Sequence, residues 1–80
     1  MSAVVDHPEI DNRRKTNLDE LESRLQDELI GRVRGFRLVL REGGLVLLGR
    51  APTYYAKQLA QEAVMRAANW PIVANDIDVY

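Results

Sequence analysis

The chain reads as an α+β domain, a two-layer α/β sandwich in which two helices cover one face of a three-stranded sheet, in the order α-β-β-α-β. Three observations predict it. Leu18, Leu21, Leu25 and Leu29 recur at spacings of three and four, one apolar stripe on a helix. From Gly35 the period becomes two, and the alternation is broken by Glu42-Gly43-Gly44 before it resumes at Leu45. An alanine-rich helical stretch and a final alternating segment then close the chain.

Residues 1–16 form a polar stretch with Pro8 and no sustained period, expected to be a flexible N-terminal tail, with the folded domain at 17–80. Thr16 or Asn17 is suited to cap the first helix. Asn17 with Glu20 gives a box-like start, and the leucine stripe carries the helix to about Arg32. Phe36, Leu38 and Leu40 then alternate with Arg37, Val39 and Arg41, as in a half-buried strand. Leu45-Val46-Leu47-Leu48 is the returning arm of a hairpin. Gly49 ends that arm, Pro52 cannot continue a ladder, and Thr53 offers a hydroxyl cap for the second helix.

The second helix places Ala56, Leu59, Ala60, Ala63, Val64 and Ala67 on one face, so its axis is expected close to the sheet. Asn69 is suited to the left-handed position at its end, and Pro71 prevents its continuation. Ile72 to Tyr80 alternates Val73, Asn75, Ile77 and Val79 with Ala74, Asp76 and Asp78, a third strand.

Composition narrows function more than it names it. Eighty residues support one core, with a stability margin of only about 3–5 kcal/mol. Cysteine is absent, which removes disulfides, thiol nucleophiles and zinc-thiolate sites. Eleven Lys and Arg against twelve Asp and Glu give a net charge of −1, so no global basic field draws the chain to nucleic acid. The first residues have no cationic start followed by an apolar stretch, and no apolar run approaches the ~20 residues of a membrane span. Cytoplasmic is the default expectation; a trimmed export signal would make the chain periplasmic or membrane-peripheral.

At this point the pattern resembles the BON domain, a family named for bacterial osmotic-shock and nodulation proteins. Glu42-Gly43-Gly44-Leu45-Val46-Leu47-Leu48-Gly49-Arg50-Ala51 is similar to that family's Gly-x-Val-x-Leu-x-Gly hairpin. A small-residue helix with Lys57, Ala60 and Ala63 follows, then a Val-x-Asn strand at Val73-Ala74-Asn75. The likeness covers about Leu18 to Tyr80. It implies structural roles for Gly44 at a positive-φ turn, for Gly49 at a close helix-strand corner and for Asn75 as a loop brace. It also implies binding to phospholipid surfaces in a bacterial envelope setting.

Catalytic and metal chemistry find no constellation. His7 is the sole histidine and lies in the tail, and the carboxylates sit on exposed helix faces or in the last strand. Asp76 and Asp78 share a strand face, but a hard cation needs roughly six oxygen ligands. Gly43-Gly44 lacks the Gly-Lys-Ser/Thr ending of a phosphate loop, and the Gly-x-x-Gly clamp of a KH-type RNA module is missing, so nucleic acid is not an expected partner. No enzyme activity, cofactor or metal is expected.

Two binding surfaces are expected instead. The family register turns Val46 and Leu48 inward, so that Arg37, Val39, Arg41, Leu45 and Leu47 form an arginine-rimmed apolar patch on the open sheet face, suited to another protein or to self-association. The alternative is peripheral binding to anionic phospholipid by Arg13, Arg14, Lys15, Arg32 and Arg34 with Trp70 as an interfacial anchor. Three or four of those cations would contribute roughly 3–4 kcal/mol in total.

Overall fold

In the computed structural model, which describes residues 17–80, Leu21, Leu25 and Leu29 stand on one line and are buried against the sheet. They belong to helix α1, helical over residues 17–28. Asn17 is already helical, so the cap expected at Thr16 or Asn17 reaches outside the described residues, as does the whole 1–16 tail. The helix stops short of Arg32: residues 29–32 are turns, in which Arg32 and Val33 donate to the Leu29 carbonyl at 2.9 and 3.0 Å.

Strands β1 (Arg34–Arg41) and β2 (Gly44–Ala51) form an antiparallel hairpin. Arg41 pairs with Gly44, so the turn is two residues long, Glu42 and Gly43, at φ 35° and 83°. Positive φ at both central residues is the type I′ arrangement, whose twist matches that of the flanking strands. The positive-φ positions of the turn are therefore Glu42 and Gly43, not Gly44. Gly44 answers a different demand: a Cβ there would lie 2.5 Å from Val73 Cγ1 and 2.8 Å from the Pro71 carbonyl oxygen. Gly49 likewise permits a close approach, to Val33 and to the backbone of Arg34 and Phe36; this is a contact with β1 and the segment entering it, not a helix-strand corner.

Helix α2 (Tyr54–Ala67) begins where Thr53 Oγ1 accepts from the Ala56 N–H at 3.0 Å, as its hydroxyl predicts. Ala56, Ala60, Ala63 and Val64 are buried, and small side chains let the helix lie close over the sheet. Its end differs from expectation. Ala68 caps it in an extended conformation and donates to the Val64 carbonyl at 2.8 Å, and Asn69 has no left-handed backbone.

The chain then returns parallel to β2, as a crossover through a helix requires. It does so in two pieces, β3 (Ile72–Asn75) and β4 (Asp78–Val79), both paired with β2, which makes four strands where three were expected. Asn75 causes the break. Its Nδ2 donates to the Lys57 carbonyl and to Gln61 Oε1 on α2, both at 3.2 Å, while its Oδ1 accepts the Ile77 N–H at 3.2 Å. A side chain has replaced the ladder there, and Ile77, 1% exposed, drops into the core.

The sheet order is β1-β2-β3, with β4 also against β2, and the core lies between the sheet and the two helices. Helix α1 meets the outer edge of β1. Leu38 N–H donates to Glu22 Oε2 at 2.8 Å, and Gln26 Nε2 donates to the Phe36 carbonyl at 2.8 Å. Two polar helical side chains thus satisfy edge-strand groups that a neighbouring strand would otherwise pair. No helix among the described residues is long and apolar enough to cross a membrane.

Candidate functional site

The two-residue turn decides which side chains reach the uncovered face of the sheet. Cross-strand partners share a face, so the pairs Leu38↔Leu47 and Leu40↔Leu45 carry Leu45 and Leu47 to the side of Phe36 and Leu38. Both are fully buried in the core cluster. The expectation that Leu45 and Leu47 line the open face is therefore overturned. It followed from the family register, whereas the two-residue turn, with Arg41 opposite Gly44, gives the opposite facing for every side chain of β2.

Val46 and Leu48 replace them. Val46 pairs with Val39 and Leu48 with Arg37, which keeps Arg37, Val39 and Arg41 on the open face as expected. Val46 is 8% exposed yet lies apart from the core cluster, the signature of a residue on the floor of the opposite face. Val39 and Leu48 are half-buried. From β3, Val73 reaches over Gly44, which pairs with Arg41, and is 53% exposed; Ala74 pairs with Val46. The face thus has an aliphatic centre of Val39, Val46, Leu48 and Val73.

Arginines surround this centre. Arg41 lies at the turn end of the hairpin, and Arg34 pairs with Arg50 at the other end, on the face of Leu48 and Val46. Arg37 is held by Glu22, whose Oε2 lies 3.3 Å from its Nε, and Arg50 stacks over the Tyr80 ring at 4.9 Å. Among the described residues, Arg34, Arg41 and Arg50 make no ion pair. The charge signal for Arg34 and Arg50 was in the sequence, but placing Arg50 on this face required the register of β2, and placing Arg34 there required the β1 bulge between Arg34 and Arg37.

The described members of the lipid set, Arg32, Arg34 and Trp70, do not come together. Arg13, Arg14 and Lys15 lie outside the described residues. Arg32 and Arg34 follow the C-terminal end of α1, whereas Trp70 borders its N-terminal turn, beside Asn17, Leu21 and Arg24. The two ends are separated by a helix about 16 Å long. Trp70 is half-buried and packs against the core, with its other side towards Gln61, Met65 and Ile72.

Among the described residues no three His, Cys, Asp or Glu side chains gather within metal-binding range. Asp76 and Asp78 are separated by the strand break, and Asp78 pairs with Arg50. His7 lies outside the described residues. No protein-family model, curated protein or solved structure gives a significant match to the chain, so the likeness to BON domains rests on the residues quoted for it alone.

Proposed function

We propose that the chain is a non-catalytic, BON-like binding module whose open sheet face docks another protein or a second copy of itself. One observation carries this reading. An aliphatic patch of Val39, Val46, Leu48 and Val73 lies on a face that both described helices leave uncovered, with Arg37 and Arg41 beside it. Apolar patches with a polar rim are the usual form of a partner surface, and arginine is enriched there.

The test follows from the corrected register. Leu48→Asp places a charge on the open face without touching the core. A partner retained by the immobilised wild-type chain and lost by this variant, at unchanged circular dichroism, supports the reading. Equal retention by both chains, or no partner together with a concentration-independent monomeric mass, would sink it.

Peripheral binding to anionic phospholipid is the second reading, supported by Arg34 joining the arginines of the open face. Flotation with anionic and neutral vesicles separates the two, since lipid binding requires salt-sensitive retention on the anionic ones alone.

A further inference from the structure

We infer that the occupant of the open face is one amphipathic helix of a different protein, with an apolar ridge flanked by carboxylates. This rests on reading the face as a docking surface, and it adds the partner's shape and charge.

Shape comes from the dimensions of the sheet. Three strand positions at ~4.8 Å and eight residues at ~3.3 Å make a platform roughly 14 by 26 Å. A helix is about 10–12 Å across with its side chains, so one helix fills that width and about 17 residues fill the length. Charge comes from the layering of the molecule. A net charge of −1 conceals two unlike layers. Helix α1 carries Asp19, Glu20, Glu22, Asp27 and Glu28 against Arg24, whereas the open face carries Arg34, Arg37, Arg41 and Arg50 against Asp78, the register partner of Arg50. Three of those arginines make no ion pair among the described residues, so carboxylates brought by a partner meet cations that are available.

The relief of the face selects among anionic partners. Val46 is on the floor, and Val39 and Leu48 are half-buried, with the longer arginine side chains beside them. A bilayer takes up apolar groups that protrude into it, and of the four residues at this centre only Val73 does. Nucleic acid bound on a sheet stacks its bases on aromatic rings; here the centre is aliphatic and Tyr80 is already covered by Arg50. A partner must instead bring its own apolar ridge down to the floor. A second copy lacks one on its acidic helix, because the leucine stripe of α1 is buried in its own core.

The test uses two synthetic helical peptides of about 17 residues, matched to the face at 1.5 Å per residue. Both carry a leucine ridge, flanked by glutamates in one and by lysines in the other. Amide shifts of the full-length chain are followed by NMR. The glutamate peptide should perturb β1, β2 and β3, bind about tenfold or more weakly to the Arg41→Glu/Arg50→Glu variant, and weaken with salt. The lysine peptide should not bind. Equal binding of both peptides would overturn the charge inference while leaving the docking reading intact. Binding of neither, with Leu48→Asp also without effect on any association, removes both. Perturbation of the same amides by anionic vesicles or a single-stranded oligonucleotide, but not by the glutamate peptide, would replace the helix with that partner.

Discussion

Leu47 and Leu48 are neighbours in β2, yet Leu47 is completely buried beneath the helices and Leu48 is half-buried on the face that neither described helix covers. The inward face is leucine, phenylalanine and isoleucine against alanines, with Asn75 as its polar brace. The outward face is mostly valine among arginines. Residue type alone does not separate the two, since both are aliphatic at their centres. What separates them is the line of basic side chains, which a core of this size could not bury unpaired.

Substitutions on the two faces should differ accordingly. Leu47→Asp buries an unpaired carboxylate and should cost about 4 kcal/mol or more, comparable to the whole margin of so small a domain. Loss of the folded signal in circular dichroism is the expected result; a cooperative melt near that of wild type would reverse the assignment of the faces. Gly44→Val comes next, at roughly 1–3 kcal/mol by urea denaturation, because its side chain must displace Val73 or the Pro71 carbonyl. Asn75→Ala removes two hydrogen bonds that tie α2 to the strand break and a third within the break, and should cost about 1–2 kcal/mol. Amide exchange should quicken at Ile77 in that variant before it does in β1. The smallest change in stability is expected for Leu48→Asp, within about 1 kcal/mol, with its effect confined to association.

Much of this arrangement was legible in the chain itself. The leucine spacing marks α1, the Thr53 cap marks the start of α2, and the alternation of Phe36 to Arg41 assigns the faces of β1 correctly. The faces of β2 were hidden because a single residue decides them. Glu42 adopts φ 35°, a region that side-chain-bearing residues seldom occupy, so the run Glu42-Gly43-Gly44 reads more naturally as three residues of turn than as two. The end of the chain was obscured in another way. Its alternation is intact through residue 79, but Asn75 competes with the ladder for its own backbone, and no periodicity reports that competition. The candidate site suffered most, since Arg34 and Arg50 join it only once the register and the bulge are known.

The contacts of Glu22 and Gln26 along β1 also limit how copies of this chain can join. With the middle of that edge occupied by α1, backbone pairing between molecules is left to the outer side of β3. Among the described residues, growth through that one edge ends at a pair and does not propagate into a fibre.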